Sequence, residues 1–523
     1  MPSQQKKYDI IIIGAGLGGL TAGAKLAKDG KKVLLLEQHH KPGGCATTFT
    51  RQGYTWDVGL HAMDGLDIDD RKRIIFKELG VFDKVTFVKA PEFYRLKNQR
   101  LDIVIPHPAQ KAARLLMAKF PAEKQGIEKF FKTIHAIRKE SNRIPLQRWK
   151  LLLLLPVFPF LFPNIFLYTF KTVGSFLDQE IANEDLKLVL AGNILYYHDD
   201  PYTMSFIYFA IAQSGYFEGG SHYIQGGSQR LSEYLAQVII KNNGKILLSH
   251  LATEIITEGR QAVGVRYTDL CDGKKTTFSA YADKIIANTA VPNIVPMLHG
   301  KNRGLLKNKI KKLTRPCSLI SIYIGFKREV RELKNTNYCT FLLNDKVTTL
   351  GEMKNNYRGD FAERSFFFTD YSQIDTKLVP AGRSVASIAT ADYFEDWQGL
   401  SEKEYQKKKD EVAHTLLQRL EQLIPGIRDE IACYEVGTPK TIQRYTLNPG
   451  GVVYGFAQQP RQAGIFRMPN TSPIKNLYFA SAWTNPGGGF TGALFSGWFC
   501  AHEVISPLES LLSYLRNFLK TRG

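Results

Sequence analysis

The chain has 523 residues, which is too long for one ordinary hydrophobic core, so we expect two or more lobes. Hydrophobic residues make up 44% of the chain and charged residues 23%, a composition that excludes a disordered protein. The net charge of +20 suits an anionic partner, either nucleic acid or the cytoplasmic face of a membrane. Because the sequence has neither zinc-finger spacing nor an RNA-binding aromatic motif, we expect no nucleic-acid partner.

The six cysteines are scattered along the chain without a Cys-x-x-Cys pair. This spacing argues against a disulfide framework and against a metal site. The pattern of a secretory signal cannot be placed over the first residues, which run directly into an apolar strand. We therefore expect a cytoplasmic protein that holds no metal.

The first predicted element is a strand at 8–13, followed by a glycine-rich turn and a helix at 20–29. Gly14 allows the tight turn, Gly16 lets the backbone approach a pyrophosphate, and Gly19 lets the helix pack on the strand. The N-terminus of this helix then offers free N–H groups and a partial positive charge to phosphates. The pattern predicts a dinucleotide-binding site.

A second strand is predicted at 32–36 and ends in Glu37. This carboxylate follows the second glycine of the turn by about 20 residues, the separation at which an acid accepts hydrogen bonds from ribose hydroxyls. A glycine pair, Gly43-Gly44, comes shortly after it. Strand, turn, helix, second strand and acid are all in place, so the unit is more than an isolated glycine motif.

The stretch Leu151–Phe170 lies between two lysines and carries no charge, over about 20 residues, which is enough to cross a bilayer core. Pro156, Pro159 and Pro163 interrupt it, and each proline removes a helix donor and clashes with the preceding turn. A single straight spanning helix is therefore not expected. Two interpretations stay open, a kinked segment lining the core and a segment that dips into one leaflet.

Strands alternate with helices again from 225 to 288, and strand-like runs dominate from 316 to 395. This order predicts an α/β fold with a second, sheet-containing lobe. A last strand is predicted near 476–483, followed by a glycine-rich turn and a helix at 493–505. The turn matches the Gly-x-Gly-x-x-Gly pattern, but no acid follows at the ribose distance, so we reject a second dinucleotide site.

The tail, Pro507–Gly523, places its leucines and Phe518 on one helical face and ends in basic residues. This is the pattern of a basic amphipathic helix that lies in a membrane interface. A terminal helix docked on the body of the protein is the alternative. Together with the net charge, the tail and the apolar stretch favour peripheral membrane association.

Several of these motifs resemble the superfamily of phytoene desaturases, carotenoid isomerases and retinol saturases. The resemblance is carried by Pro42-Gly43-Gly44-Cys45, by Gly59-Leu60-His61, by Ile224–Ser228 before a helix, by Ala252–Ile255 and by Asn448–Gly451. Cys45 stands where bacterial phytoene desaturases tend to have arginine, which makes the chain more similar to the retinol saturase branch. Where related flavoproteins usually have Gly-Asp before the last glycine turn, this chain has Ser481-Ala482.

The resemblance implies a two-lobed flavoprotein of the glutathione reductase and amine oxidase type, with a Rossmann-type FAD domain and a sheet-containing substrate domain. It implies that the backbone at Ala252 contacts adenine and that the last helix points its N-terminus at the flavin ring, where it stabilises negative charge. We expect residues 1–85, 222–300 and 470–505 to form the FAD domain, 86–221 and 301–469 the substrate domain, and 506–523 the tail. The residues expected to bind FAD are Gly14, Gly16, Gly19, Glu37, Gly43, Gly44, Ala252, Gly488, Gly489 and Thr491.

The function implied is addition or removal of hydrogen across a C=C bond of a lipophilic isoprenoid, such as a carotenoid or retinoid, or isomerisation of that bond. His61 is the candidate for proton transfer, with a histidine bonded to the backbone as the alternative. NAD(P)H and a quinone both stay open as electron partner. Two other functions remain alternatives, an amine oxidase-type flavin oxidase acting on a soluble substrate and a non-catalytic escort of prenyl lipids with the same fold.

Overall fold

The computed structural model describes residues 8–145, 151, 153–271, 273 and 275–505. The predicted amphipathic tail, 506–523, lies outside these residues, so it stays a prediction. In chain order, the strands are β1 (Tyr8–Ile13), β2 (Val33–Leu36), β3 (Thr48–Arg51), β4 (Tyr54–Asp57), β5 (Met63–Asp64), β6 (Phe87–Lys89), β7 (Tyr94–Lys97), β8 (Asp102–Ile105), β9 (Ser221–Ile224), β10 (Lys245–Leu247), β11 (His250–Glu258), β12 (Gln261–Asp269), β13 (Thr277–Ala287), β14 (Ser318–Phe326), β15 (Cys339–Leu342), β16 (Phe366–Asp370), β17 (Ser384–Asp392), β18 (Ile431–Gly437) and β19 (Leu477–Phe479).

The helices lie mostly between these strands, and their order confirms the expected α/β class. They are α1 (Leu17–Lys28), α2 (Arg71–Leu79), α3 (Ala109–Lys119), α4 (Lys124–Arg143), α5 (Phe158–Leu161), α6 (Pro163–Tyr168), α7 (Val173–Glu180), α8 (Glu184–Leu190), α9 (Phe206–Gly219), α10 (Gln229–Lys241), α11 (Val291–Met297), α12 (Gly300–Ile310), α13 (Met353–Arg358), α14 (Glu402–Leu423), α15 (Pro439–Thr446) and α16 (Gly489–Val504).

The first sheet has a parallel core in the order β10-β2-β1-β13-β19. All four residues of β2 and the last four of β1 are buried, as in parallel strands that are covered by helices on both faces. The antiparallel strands β12 and β11 extend β13 beyond this core. Strand β19 comes from the end of the described chain, so this sheet is assembled from both ends of the sequence.

The second sheet has seven strands in the order β18-β14-β17-β16-β15-β7-β8. Side chains alternate between its two faces, as the pleat requires. Ile322 and Phe368 pack in the core with Leu416 of α14, whereas Tyr323 and Phe367 point to the opposite face and join the largest core of the molecule. That inner face of the second sheet carries the residues that surround His61.

Two details differ from the sequence-based expectation. The last helix begins at Gly489, four residues earlier than predicted, because Gly488 already serves as its N-cap and the glycines of the turn continue into the first helical turn. The three prolines break the apolar stretch as predicted: α5 and α6 are short helices that begin next to Pro159 and at Pro163. Among the described residues, none of the helices is long and apolar enough to cross a bilayer.

Candidate active site

The glycine turn after β1 forms a cradle in which added side chains would meet backbone. Gly14 has φ +96°, and a Cβ there would lie 2.4 Å from the carbonyl oxygen of Asn288. A Cβ at Gly19 would lie 2.2 Å from the oxygen of Gly14, so the helix approaches the strand as closely as predicted. Gly16 is the N-cap of α1 and has no side chain to cover the first N–H groups of the helix. These donors fit a pyrophosphate.

Glu37 folds back over the same turn. Its Oε2 accepts a hydrogen bond from the Ala15 N–H at 2.6 Å, and its Oε1 accepts one from the His39 N–H at 2.8 Å. Burial raises the pKa of this carboxyl and the N–H donors lower it, with the net result above the ordinary value. Each oxygen keeps a further lone pair for ribose hydroxyls, which is the use that the sequence predicts.

The glycine pair contacts the first turn directly. The Gly43 N–H donates to the oxygen of Ala15 at 2.8 Å, and Gly43 pairs with Gly16 in an isolated parallel bridge. Gly44 has φ +58°, and a Cβ there would lie 3.3 Å from the Cα of Gly16. Both predicted glycine motifs therefore form one continuous backbone surface.

The last helix completes this surface from the other end of the chain. A Cβ at Gly497 of α16 would lie 2.1 Å from the oxygen of Gly18, so α16 packs backbone to backbone on α1. The first turn of α16 carries Thr491, whose hydroxyl donates to Asp64 Oδ1 at 2.6 Å. Gly488 and Gly489 line a cavity in front of this helix N-terminus.

Ala252 lies on β11, which starts where the first sheet ends near Glu37. The His250 N–H donates to the oxygen of Glu37 at 2.7 Å, so the strand leads away from the predicted ribose site. Strands β11 and β12 change register between Ala252 and Glu254. Ala252 therefore adjoins the glycine cradle through Glu37, whereas His61 lies at the cavity by α16.

The cavity in front of α16 has a volume of about 680 Å³. Burial raises the pKa of every tyrosine on its wall, so these side chains present neutral phenols and flat apolar rings. The hydroxyl of Tyr197 has no hydrogen-bond partner among the described residues. The lining tyrosines are Tyr196, Tyr197, Tyr208, Tyr216 and Tyr454.

His61 also lines the cavity, and its surroundings define its tautomer. Its Nδ1 lies 3.2 Å from the hydroxyl of Tyr371, and that hydroxyl donates its only proton to the oxygen of Leu60 at 2.9 Å. Nδ1 must therefore donate, which leaves a lone pair on Nε2. Burial lowers the pKa of His61 to about 4, so the ring is neutral at physiological pH.

Residues 17–505 match the family of flavin containing amine oxidoreductases. The chain belongs to this family. The match confirms the resemblance and the expectation of an FAD-dependent oxidoreductase, and the glycine cradle with its buried acid fits the dinucleotide part of FAD. The residues that lie at this cradle or at the start of α16 are Gly14, Gly16, Gly19, Glu37, Gly43, Gly44, Gly488, Gly489 and Thr491.

Relatives match this flavoprotein over nearly its whole length. The prolycopene isomerase of Daucus carota is 30% identical over 524 residues, covering 97% of this chain and 81% of that protein. The all-trans-retinol 13,14-reductase of Danio rerio is 26% identical and covers 94% of this chain and 85% of that protein. The solved structure of a putrescine oxidase bound to putrescine is 15% identical, covers 95% of this chain and 99% of that chain, and has a TM-score of 0.61. At this identity the structural likeness shows the fold alone.

Two charged groups of the flavoprotein site were not predicted. Asp57 is buried and accepts hydrogen bonds from the Ser228 N–H at 2.6 Å and the Leu60 N–H at 3.0 Å, which holds the loop before His61. Burial raises the pKa of Asp57 to about 6, although the N–H donors lower it. Its position two residues before Gly59 is visible in the sequence, but its partner Ser228 is far along the chain.

The second group is a buried ion network that includes Asp64, the acceptor of the Thr491 hydroxyl. Lys72 lies 2.8 Å from Asp64 Oδ1, and Arg138 lies 2.6 Å from Asp70 Oδ2. Burial raises the pKa of Asp64, but the two cations lower it further, so the net pKa is below its ordinary value. These residues follow no recognisable spacing, so the sequence offers no signal for the network.

Exposed apolar side chains surround the outer end of the cavity. Leu151, Ile165, Ile465 and Phe466 line it, and Phe170 stacks on Phe466 with ring centroids 5.6 Å apart. We call the exposed group the mouth patch. Its members are Leu153, Leu155, Val157, Phe160, Phe166, Leu167, Phe170, Ile465 and Phe466.

Replacing Glu37 by glutamine is expected to weaken FAD binding by about tenfold or more, because an amide has one accepting oxygen and its NH₂ group opposes an N–H donor. The matched control is Glu258→Gln, an exposed acid on β11. Titration of the apoprotein with FAD, followed by flavin fluorescence, measures both affinities. Equal affinities for the two variants would contradict the role of Glu37.

Proposed function

We propose that this FAD-dependent enzyme adds or removes hydrogen across, or isomerises, C=C bonds of a lipophilic isoprenoid such as a carotenoid or retinoid. The printed names of its relatives, a prolycopene isomerase and a retinol 13,14-reductase, support this substrate class. When bound, FAD supplies the two-electron chemistry, and the protein supplies orientation and a site shielded from water. The domain boundaries expected above, with FAD bound by 1–85, 222–300 and 470–505, are part of the proposal.

The observation that carries the proposal is the cavity between the start of α16 and the mouth patch. Its inner end has tyrosine rings and His61, and its outer end has aliphatic and phenylalanine side chains. An apolar chain can thread such a channel, whereas a polyamine or another charged substrate would lose its hydration without gaining a matching counter-charge from these walls.

His61 is proposed as the group that takes up or returns a proton at the substrate carbon. Its Nε2 carries the lone pair, and Tyr371 holds the tautomer by accepting from Nδ1. The proposed FAD contacts remain those predicted from the sequence, including the backbone at Ala252. NAD(P)H and a quinone both remain open as the source or acceptor of electrons.

The mouth patch is proposed to rest on a bilayer, so that the substrate enters the cavity from the membrane. Phe160 has an exposed fraction of 84%, and contiguous apolar surface of this kind marks a protein or membrane interface. The net charge of +20 favours an anionic leaflet. We propose a cytoplasmic, peripheral location, with the tail 506–523 as a second contact.

Anaerobic reduction of the bound flavin, followed by reoxidation with a panel of carotenes, retinoids, quinones and amines, tests the proposed function. We expect a retinoid or carotenoid to reoxidise the flavin, or to be isomerised by it, faster than buffer does. Peroxide production with amines would instead support a soluble amine oxidase. A purified protein that shows no flavin absorbance even after FAD is added would support the lipid escort.

The neutral state of His61 predicts a pH dependence of stability. The ring has a pKa of about 4 in the folded protein and about 6.5 in the unfolded chain, so only the unfolded chain takes up this proton between those values. Stability therefore falls as the pH falls through this range. From about pH 7 to about pH 5 the loss due to His61 is up to about 2 kcal/mol.

His61→Gln does not titrate, so we expect its free energy of unfolding to fall by correspondingly less between the two pH values. Urea unfolding of both proteins at each pH measures the difference. His107, whose pKa burial also lowers to about 4, is present in both proteins and cancels. If the two proteins lose equal stability, the imidazole is not held neutral.

A further inference from the structure

Arg467 is a buried cation on the wall of the cavity, with an exposed fraction of 4%. Its Nη1 donates to the oxygen of Phe456 at 2.6 Å, and its Nη2 donates to the oxygen of Ala482 at 2.8 Å. Longer bonds join Nη1 to the carbonyls of Ala457 and Gln462. All four acceptors are neutral, and within the described part of the chain the guanidinium has no carboxylate partner.

The other buried cations of the described chain are paired. Each has a carboxylate oxygen at 3.2 Å or less, which offsets the cost of removing the charge from water. Burial lowers the pKa of Arg467 to about 10, so this residue also stays charged at neutral pH. The five pairs are Lys25–Asp29, Lys72–Asp64, Arg138–Asp70, Lys187–Asp178 and Arg364–Asp392.

The unpaired charge lies on the same cavity wall as the N-terminus of α16. Arg467, Gly488 and Gly489 all line the cavity, and Tyr208, which interacts with Arg467, donates to the oxygen of Gly488 at 3.0 Å. Ala482, held by Arg467, leads into the glycine turn before the helix. The guanidinium and the helix dipole therefore contribute positive potential to the same region.

We propose that Arg467 is the counter-charge for the flavin ring, compensating the negative charge that the ring acquires when two electrons and one proton are added. An unpaired buried cation is costly in the protein alone, and an anionic partner at this wall removes the cost. Charge near the ring is a principal means by which a protein tunes a flavin. The inference depends on the FAD cofactor and not on the identity of the substrate.

A rival role for the same charge is neutralisation of the FAD pyrophosphate. In that case, loss of the charge lowers the affinity for FAD and leaves the reduction potential unchanged. A third role is purely structural, since the guanidinium ties four carbonyls together. Loss of these bonds lowers the melting temperature, again without an effect on the potential.

The test uses Arg467→Lys, which keeps the charge, and Arg467→Met, which removes it, both saturated with FAD. We expect the methionine variant to lose at least tenfold in the equilibrium constant for two-electron reduction of the bound flavin, which corresponds to about 30 mV. The lysine variant should stay close to the wild type in potential even if its melting temperature falls. Affinity for sulfite, which adds to the flavin ring and leaves it negatively charged, should fall at least tenfold in the methionine variant only.

Wild-type potential and sulfite affinity in a folded, FAD-bound methionine variant would overturn the proposal, whether its FAD affinity or melting temperature changes or not. If the methionine variant does not fold, Arg467→Gln, which retains N–H donors for the carbonyls, replaces it. The wild-type protein gives an independent readout. Its reduced flavin should keep the absorbance of the anionic form from mildly acidic to mildly alkaline pH, and protonation within that range would contradict the inference.

Discussion

Replacing Gly18 by alanine is expected to produce a protein that does not retain FAD. A Cβ at this position would lie 2.0 Å from the oxygen of Ala480, a contact that requires the backbone to move. The oxygen of Gly18 is also the atom on which Gly497 packs, so α1 cannot shift without disturbing α16. Overpacking of this kind costs about 1–3 kcal/mol or more, and here it falls on the surface that binds the dinucleotide.

The ratio of flavin to protein absorbance after purification, together with the melting temperature, measures this effect. The matched control is Gly304→Ala in α12, where no described atom lies within 4 Å of the added Cβ. Alanine in a helix interior stabilises by about 0.5–1 kcal/mol relative to glycine, so the control should keep its flavin and melt no lower. A Gly18→Ala protein with full flavin content would contradict the close approach of the three segments.

Replacing Phe160, Phe166 and Leu167 by serine is expected to abolish binding to vesicles. These side chains have exposed fractions of 84%, 58% and 65%, so their loss should leave the fold intact. Burial of each in a bilayer is worth about 1.5 kcal/mol or more, and the three together correspond to a loss in affinity of about a thousandfold. Sedimentation with vesicles that contain anionic phospholipid measures the bound fraction.

The control triple variant replaces Ile74, Ile240 and Leu270 by serine. These residues are comparably exposed but lie outside the mouth patch, so vesicle binding should be unchanged. Equal sedimentation of both triple variants and the wild type would remove the membrane proposal for the patch. Deletion of 507–523 in the patch variant and in the wild type then separates the contribution of the tail from that of the patch.

Sequence patterns predicted the parts of the site in which a short motif has one physical use. The glycine turn, the acid after β2 and the glycine pair are of this kind, because their chemistry depends on backbone conformation over a few residues. The sequence also contained every glycine of the last turn, but the start of α16 was placed too late because glycine is a poor helix former in isolation.

Contacts between distant segments were beyond such patterns. The packing of Gly18 on Gly497, the bond between Asp57 and Ser228, and the ion network of Asp64 each join residues that no local rule connects. Arg467 is a further case, since one arginine in a loop is ordinary in sequence and becomes unusual only when its burial and its neutral partners are known.

Strand β19 and helix α16 are among the last described parts of the chain to leave the ribosome, while the strands and helix on which they pack are among the first. During synthesis, the edge of β13 that later receives β19 and the face of α1 around Gly18 are therefore without partners. Contacts of such long sequence separation form late and expose the nascent chain to aggregation until they do. Cofactor uptake by this protein is accordingly a post-translational event, and the yield of active enzyme from expression should depend on the supply of flavin and on chaperones during that interval.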